Sequence, residues 1–331
     1  MFASLTTLTL ILTAPPRSLV ALEDFREAAR AIAGHVHRTP QAASSWLSDQ
    51  SGARVLLKHE LFQKTGSFKV RGVINTLRQL TENERSRGVI SLSAGNHAQA
   101  LAWGSTRLGI RATIVMPMTA VASKVAATKG YGGEVIQTDG DLLATALELQ
   151  RSRNLTMVHP FDDLRVIAGQ GTVGLEIVAD APEVEVVLVA CGGGGLLSGV
   201  AAAIKQLKPE ARVVGVEPEG AAAVSLSLAA GSPQRLKSLD TVADGLAAPF
   251  TGAHNLAHVH QFVDEVLVIP DAEILAGMRV LMERCKLFAE PSAGAAVAPL
   301  LTGRITVRPG ACVVAIVCGG NIDLERLKGL L

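Results

Sequence analysis

One stretch decides how the rest of the chain can be arranged: Gln63-Lys64-Thr65-Gly66-Ser67-Phe68-Lys69-Val70-Arg71-Gly72. It follows a short apolar run at 55–57 that is typical of a strand, and it begins a segment whose apolar residues recur at helical spacing. Lys69 therefore stands where a helix begins, and the positive end of the helix dipole disfavours its charged form. A larger share of free amine is what an imine-forming lysine requires. The alternative, from this segment alone, is that Lys69 and Arg71 are solvated charges on a surface helix.

Length and composition bound the class of protein. The chain has 331 residues, of which 48% are hydrophobic and 18% charged, and its net charge is +1. Such a chain can bury a large core, and its charge gives no basis for binding nucleic acid or an acidic membrane surface. We expect one large α/β domain or two closely coupled ones.

Cysteine usage and the N-terminal segment both indicate a cytoplasmic protein. The four cysteines have neither the paired spacing of metal ligands nor the density of a secreted disulfide framework; they are Cys191, Cys285, Cys312 and Cys318. Residues 1–20 include a short apolar run, but no lysine or arginine precedes Arg17, and the run is too short to span a bilayer. We therefore expect an N-terminal extension there rather than an export signal.

Strand and helix signals alternate along the chain with short gaps. Strands are predicted at 55–57, 89–92, 112–116, 135–136, 156–158, 184–191, 213–216, 265–269 and 312–317. Helices are predicted at 21–37, 69–80, 96–108, 121–129, 141–151, 171–179, 196–207, 272–286, 291–301 and 324–330. This βαβα rhythm predicts an α/β protein with parallel sheets and flanking helices.

A second informative motif is Cys191-Gly192-Gly193-Gly194-Gly195-Leu196, directly after the most apolar strand. Consecutive glycines let backbone N–H groups converge on one anion, and a helix N-terminus adds a favourable dipole, so the motif predicts a phosphate site. It is neither the dinucleotide fingerprint nor a nucleotide P-loop. The alternative is a tight turn under closely packed helices.

A reactive lysine and a phosphate site without nucleotide signatures together suggest a phosphorylated aldehyde held as an imine, namely pyridoxal 5'-phosphate. Further motifs occur in order along the chain: Lys58-x-Glu60, the stretch 63–72, Ser93-Ala94-Gly95-Asn96-His97-Ala98-Gln99, the glycine run, Glu290-Pro291-Ser292-Ala293-Gly294 and Cys318-Gly319-Gly320-Asn321. Together they closely resemble the serine/threonine dehydratase and serine racemase family of pyridoxal-phosphate enzymes, which has the tryptophan-synthase-β-like fold (fold type II). The resemblance runs from about Leu22 to the C-terminus and is closest to the dehydratases.

The resemblance implies two open parallel-sheet domains with flanking helices. Residues 21–86 and 158–331 would form the large cofactor-binding domain, and residues 87–157 a small mobile domain that closes over bound substrate and excludes water. Residues 1–20 would precede both.

It also implies roles around the cofactor. Lys69 would hold pyridoxal phosphate and, once released by the substrate amine, remove the α-proton. Phe68 would lie against one face of the ring, or simply pack in the core. Asn96 would donate to the phenolic oxygen of the ring. The phosphate would be bound by Gly192, Gly193, Gly194, Gly195 and Leu196.

Three more cofactor contacts follow from the resemblance. Gly245 would lie against the other face of the cofactor, where the lack of a side chain leaves room for substrate, and Glu290 would belong to the cofactor site. Cys318 would face the pyridine nitrogen. A thiol is a weak, neutral partner, which favours prompt loss of a β-leaving group over a long-lived carbanion. The alternative for Cys318 is a small buried hydrophobe at the end of a core strand.

The substrate carboxylate would be received by Ser93, Ala94, Gly95, Asn96 and His97, where backbone and side-chain donors meet at a helix start. For His97, a satisfied buried histidine is an equally good interpretation. Ala94 departs from the racemases, which place a serine there to deliver a proton to the other face of the α-carbon. Alanine has no proton to give, so we expect racemisation to be slow or absent.

A metal site is doubtful. Some family members bind magnesium or calcium, and Glu217 and Ala221 match two of the positions, but Ala223 stands where an acid would be. Losing one carboxylate should weaken such a site. We expect His254, His258 and His260 to lie in a polar loop rather than to bind a transition metal.

The predicted function is α,β-elimination from L-threonine, L-serine or both, giving a 2-oxo acid and ammonia. The alternatives are another 3-hydroxy amino acid, such as 3-hydroxyaspartate or phenylserine, a serine racemase, a β-replacement enzyme, and a non-catalytic metabolite-binding protein. The β-replacement group carries threonine after the asparagine, where this chain has His97. We expect a small-molecule amino-acid substrate, no nucleic-acid or membrane partner, and a cytoplasmic homodimer or homotetramer.

Overall fold

The computed structural model describes residues 19–331. The strands are β1 (Gln41–Ala43), β2 (Arg54–Lys58), β3 (Val89–Leu92), β4 (Ala112–Pro117), β5 (Glu134–Thr138), β6 (Thr156–Met157), β7 (Val186–Ala190), β8 (Arg212–Pro218), β9 (Glu265–Ile269) and β10 (Cys312–Ile316). The helices up to the middle of the chain are α1 (Leu22–Ile32), α2 (Ser45–Ser51), α3 (Lys69–Arg78), α4 (Glu82–Arg87), α5 (Asn96–Arg107), α6 (Ala122–Gly130), α7 (Leu142–Ser152) and α8 (Leu164–Asp180). They are followed by α9 (Gly195–Leu207), α10 (Ala223–Ala230), α11 (Ala253–Phe262), α12 (Asp271–Glu283), α13 (Pro291–Gly294), α14 (Ala298–Thr302) and α15 (Leu324–Lys328).

These strands form two sheets. A six-stranded sheet has the order β1-β2-β10-β7-β8-β9, and a four-stranded sheet has the order β5-β4-β3-β6. Every pairing is parallel except that of the edge strand β1 with β2. Strand β7 lies in the interior of the larger sheet and is buried along its whole length, as its unbroken apolar sequence predicts. The predicted α/β fold with parallel sheets is confirmed.

Several predicted boundaries were wrong. Helix α1 ends at Ile32 rather than at 37, because the chain turns through Gly34 at φ +76°. Helix α8 begins at Leu164 rather than at 171, because the Asp163 side chain accepts a hydrogen bond from the Arg165 N–H and caps the helix there. The single helix predicted at 291–301 is two short helices, α13 and α14. Five elements were missed; they are β1, α2, α4, α10 and α11.

The two sheets divide the chain in sequence. The strands of the four-stranded sheet lie between Val89 and Met157, and those of the six-stranded sheet lie before and after that interval. The domain limits 87–157 stay a prediction. Of the expected N-terminal extension, residues 1–18 lie outside the described part of the chain. Between residues 19 and 331, no helix has the length and apolarity needed to cross a bilayer.

A buried cluster of charges anchors the helix that carries Lys69. Arg71, in the first turn of α3, is 0% exposed and donates to both carboxylate oxygens of Glu60, at 2.7 and 2.8 Å. It also donates to both oxygens of Glu176 on α8, at 2.7 and 2.9 Å. Lys58, the last residue of β2, is equally buried and lies 2.6 Å from Glu176. Burial alone would lower the pKa of Arg71, but Glu60 and Glu176 outweigh it and the pKa is raised. Arg71 is therefore not a solvated surface charge.

Replacing Arg71 by methionine leaves Glu60 as a buried carboxylate without its main partner. We expect the free energy of unfolding to fall by about 3–5 kcal/mol, measured by chemical denaturation followed by circular dichroism. The double variant R71M/E60Q removes both charges and should be more stable than R71M alone. A loss of less than about 1 kcal/mol in R71M, the range of a surface ion pair, would contradict this account of the cluster.

Candidate active site

A cavity of ≈ 790 Å³ opens at the carboxyl ends of the strands and is lined from both sheets. It brings together the positions predicted to bind cofactor and substrate; they are Phe68, Lys69, Ser93, Ala94, Gly95, Asn96, His97, Gly192, Gly193, Gly194, Gly195, Leu196, Gly245, Glu290 and Cys318. The two positions predicted for a metal do not line it. The individual roles of these residues stay predictions.

Lys69 is the first residue of α3 and places its amine in the cavity. The Nζ atom donates to the carbonyl oxygen of Pro160 at 2.8 Å and lies 5.2 Å from the centre of the Phe68 ring. Desolvation lowers the pKa of Lys69 to about 8, although Cys318 and Glu290 act in the opposite direction. The share of neutral amine near neutral pH is therefore larger than for an ordinary lysine.

The glycine motif forms a cradle of backbone donors at the start of α9. In the described part of the chain, the N–H groups of residues 192–196 donate to no acceptor. Gly194 has φ +95°, which few other residues adopt, and a Cβ atom on Gly193 would lie 2.5 Å from the Phe161 ring. The Thr251 hydroxyl donates to the Gly193 carbonyl at 3.1 Å and so helps to fix the loop. Converging free donors at a helix start fit a phosphate group.

A second set of free donors lies at the start of α5. Within residues 19–331, the N–H groups of residues 96–98 donate to no acceptor, while that of Gly95 donates to the Ser93 hydroxyl at 3.1 Å. This helix start fits a carboxylate. Two places for anions thus line the same cavity as the Lys69 amine.

His97 is buried and held by the framework. Its Nε2 lies 3.0 Å from the Ser91 hydroxyl and 3.3 Å from the carbonyl oxygen of Val158. A carbonyl oxygen can only accept, so Nε2 carries the hydrogen and Nδ1 is left as an acceptor. Burial, together with the nearby Lys69 amine, holds the pKa of His97 well below its usual value. A neutral ring with this tautomer does not donate to a carboxylate, which favours the backbone N–H groups for that task.

Asn96 and Glu290 contact each other directly. The Asn96 Nδ2 donates to Glu290 Oε1 at 2.8 Å, and burial raises the pKa of Glu290 to about 7 while this hydrogen bond acts against the shift. The Asn96 Oδ1 accepts from Asn321 Nδ2 at 2.8 Å. No role was predicted for Asn321, although it closes the Cys318-Gly319-Gly320-Asn321 motif; its place beside two other motifs was the available signal.

The remaining predicted cofactor contacts are small and neutral. A Cβ atom on Gly245 would lie 2.5 Å from the Ser292 hydroxyl and 3.2 Å from Glu290, so a larger residue there would displace both. The thiol of Cys318 is buried, and burial together with Glu290 raises its pKa well above the usual value. It therefore stays protonated. Ala94 lines the cavity without a hydroxyl group.

Glu217, the first of the two positions predicted for a metal, is used as a helix cap. Its carboxylate accepts from the N–H of Val224 and the N–H and hydroxyl of Ser225, all at 2.7–2.8 Å. Ala221 lies in the adjoining short turn Glu219–Ala221. In residues 19–331, no group of three or more His, Cys, Asp or Glu side chains could hold a metal ion.

The expected polar loop of histidines was wrong. His254, His258 and His260 lie on helix α11. The His258 Nε2 accepts from the N–H of Val20 at 3.0 Å and its Nδ1 donates to the carbonyl of His254 at 2.7 Å, so this ring is a structural link to the start of the described chain. A loop was predicted because these side chains are polar, but the helix also has an apolar face, on which Leu256 and Val259 are buried.

Comparison with known proteins identifies the family. The family model for pyridoxal-phosphate dependent enzymes matches residues 32–319 of this chain. An L-threonine ammonia-lyase of Thermotoga maritima is 43% identical over 95% of this chain and 78% of its own length. A catabolic L-threonine dehydratase of Staphylococcus aureus is 40% identical over 95% of this chain and 92% of its own length. The solved structure of maize serine racemase superposes with a TM-score of 0.90 at 37% identity, covering 94% of this chain and 97% of the racemase. With a lysine at a helix start and free donors for a phosphate in one cavity, the chain belongs to the family of pyridoxal-phosphate-dependent enzymes.

Proposed function

We propose that this protein is an ammonia-lyase that converts L-threonine, L-serine or both to a 2-oxo acid and ammonia. The observation that carries the proposal is the cavity in which the Lys69 amine shares its walls with two sets of free backbone donors, at 96–97 and 192–196. An amino acid brings one carboxylate and pyridoxal phosphate one phosphate, so the two sets match the two anions. The relatives named as a threonine ammonia-lyase and a threonine dehydratase support the choice of reaction.

Pyridoxal phosphate would be held by Lys69, the glycine loop 192–196, Asn96 and Cys318. When bound, it supplies an electron sink that lets the α-carbon of an amino acid lose its proton. The chain supplies the position of the substrate and the proton transfers. The free donors at 96–98 bind and orient the carboxylate, and the apolar walls of the cavity limit the access of water.

Lys69, once the substrate amine has released it, is the proposed base. Its amine, with a pKa of about 8, is neutral often enough to accept the α-proton near neutral pH. Cys318 stays a neutral thiol and cannot compensate a positive charge on the pyridine nitrogen. The β-hydroxyl then leaves as water with one proton, which balances the α-proton that Lys69 accepted. The released enamine takes up water to give the 2-oxo acid and ammonia.

Racemisation is the second candidate, because the maize structure with the TM-score of 0.90 is a serine racemase. A racemase needs a second proton donor, on the face of the α-carbon opposite the lysine. Ala94 lines the cavity and has no such group. Its methyl side chain therefore favours elimination over racemisation.

The cellular setting is also a proposal. The four cysteines are free thiols, which suits a reducing cytoplasm. Phe62 and Phe288 are 51% and 46% exposed, which suits burial in a homodimer or homotetramer. Residues 87–157 are proposed as the small domain that closes on substrate.

The lowered pKa of Lys69 predicts how the cofactor-free protein takes up pyridoxal phosphate. Only the neutral amine condenses with an aldehyde, so the uptake rate should rise with pH and level off above a midpoint of about 8, rather than near the ordinary lysine value of 10.5. Stopped-flow absorbance measures the rate. K69A should give no imine absorbance and no turnover while keeping the circular dichroism of the wild type. An uptake rate still rising at pH 10 would be inconsistent with a desolvated Lys69.

Placing a hydroxyl group at position 94 tests the stereochemical argument. We expect A94S to form D-serine from L-serine at least roughly 10²-fold faster than the wild type, the lower range for a positioned acid–base group. Chiral chromatography measures D-serine beside the 2-oxo acid. A94G changes the size of the side chain without adding a proton donor and should gain nothing. Rapid interconversion of the serine enantiomers by the wild type would overturn the argument.

Chelation tests whether Glu217 caps helix α10 or binds a metal ion. Because both carboxylate oxygens cap α10, dialysis against EDTA should leave the melting temperature and the rate of 2-oxo acid formation unchanged. S225A removes one hydrogen bond of the cap and should lower stability by about 0.5–2 kcal/mol, with or without EDTA. A loss of activity in EDTA that magnesium or calcium restores would show that the proposed metal independence is wrong.

A further inference from the structure

Asn321 joins three parts of the proposed cofactor site. Its Nδ2 donates to the carbonyl oxygen of Thr65 at 2.7 Å, in the loop before Lys69, and to Oδ1 of Asn96 at 2.8 Å, on the unit with the four-stranded sheet. Its backbone N–H donates to Oε2 of Glu290 at 3.1 Å. Asn96, Glu290 and Asn321 all line the cavity.

The direction of these hydrogen bonds is fixed by the Thr65 carbonyl. A carbonyl oxygen can only accept, so the atom of Asn321 that faces it is the nitrogen. The same nitrogen faces Asn96, so the Asn96 atom there must be its oxygen. The Asn96 nitrogen then points away from Asn321, toward Glu290, whose carboxylate accepts one of its two hydrogens at 2.8 Å. The second hydrogen of that amide is not used by Glu290.

Backbone contacts hold Asn321 in place beside the Lys69 loop. The N–H of Gly320 donates to the carbonyl of Gly66 at 2.9 Å, and Ser67 pairs with Gly319 in an antiparallel bridge. The turn at Gly66 has φ +73°, and a Cβ atom there would lie 2.4 Å from Oδ1 of Asn321. The asparagine side chain therefore fits against a glycine that could not be enlarged without moving it.

We infer that Asn321 is a positioning residue that sets which way the Asn96 amide faces, and so presents an N–H of Asn96 to the cofactor. The inference rests on the pyridoxal-phosphate site of the proposed function. If the amide were turned over, Asn96 would offer an acceptor to the phenolic oxygen, which is itself an acceptor, and the contact would be repulsive.

The same contact ties down the carboxylate site. Asn96 is the first residue of α5, and the free N–H groups of residues 96–98 follow its backbone. Asn321 belongs to the unit with the six-stranded sheet, so its hydrogen bond to Asn96 crosses between the two sheets. Loss of Asn321 should therefore affect the substrate KM as well as the cofactor.

The experiment compares the wild type with N321D, N96A and the double variant N321D/N96A, each loaded with pyridoxal phosphate. N321D keeps the size of the side chain but has an oxygen in place of Nδ2. It therefore loses the two N–H donors and places a carboxylate oxygen against the Thr65 carbonyl oxygen and Oδ1 of Asn96. N321A removes the donors without adding charge and serves as a second version if N321D does not fold. The readouts are the absorbance spectrum of the bound cofactor, the cofactor Kd, and kcat and KM for L-threonine.

We expect N321D and N96A to shift the spectrum in the same direction and to weaken cofactor binding by roughly tenfold each, the effect of one lost hydrogen bond. If Asn321 acts through Asn96, the double variant should bind the cofactor within about twofold of N96A. A wild-type spectrum and Kd in both N321D and N321A would overturn the inference, and so would losses that multiply in the double variant.

N75A is the matched control. Asn75 on α3 is fully buried and its Nδ2 donates to the carbonyl of Arg165 at 2.7 Å, away from the cavity lining. N75A should lower the melting temperature without changing the cofactor spectrum. If N75A changed the cofactor spectrum as much as N321D, loss of any buried asparagine would be enough to cause the change, and the positioning role of Asn321 would be overturned.

Failure of the inference and failure of the proposed function give different results. If the wild type forms no 2-oxo acid from threonine or serine but N321D and N96A share one spectral change, the proposed reaction is wrong and the positioning role stands. If the wild type forms the 2-oxo acid and both N321D and N321A keep the wild-type spectrum, the positioning role is wrong and the proposed reaction stands.

Discussion

The common direction of parallel strands is the constraint on which this site depends. Strands β2, β10 and β7 lie side by side and run the same way, so the segments that follow them leave the same edge of the sheet. The segment after β2 carries Lys69, the one after β10 carries Cys318, and the one after β7 is the glycine loop. The second parallel sheet adds Asn96 after β3. Residues far apart in sequence therefore share one cavity.

Desolvation gives the cavity its chemical character. It lowers the pKa of Lys69 to about 8 and raises that of Glu290 to about 7, and it keeps the Cys318 thiol protonated. Lys69 and Glu290 thus have pKa values close to neutral pH, and Cys318 is uncharged, while the free backbone donors provide positive potential where anions would bind. Two residues after Lys69, burial has the opposite outcome. Arg71 stays charged in a fully buried site because it donates to the carboxylates of Glu60 and Glu176.

Much of the fold and of the cavity lining could be predicted, and each exception has a physical cause. Apolar strands such as β7 and the motifs around Lys69 and the glycine loop are local patterns. The missed elements β1 and α2 are short, and α11 carries three histidines, of which His254 is half-buried, His258 buried and His260 exposed. Asn321 and Glu60 were quoted in motifs but had no predicted contacts, because their partners are supplied by other segments. The roles of individual site residues stay predictions.

The sequence by itself determined the family, the parallel α/β architecture and which residues are candidates for chemistry, because each depends on residue types at short, fixed spacings. Only the tertiary structure decided how those residues meet. It showed that Glu217 caps a helix, that the His97 ring is neutral and held by Ser91 and Val158, and that Asn96 lies between Asn321 and Glu290. Hydrogen bonds between distant segments and the burial of each group are properties of the folded chain, and no local pattern encodes them. Lys69 could be recognised by its neighbours in sequence, but its lowered pKa comes from its neighbours in space.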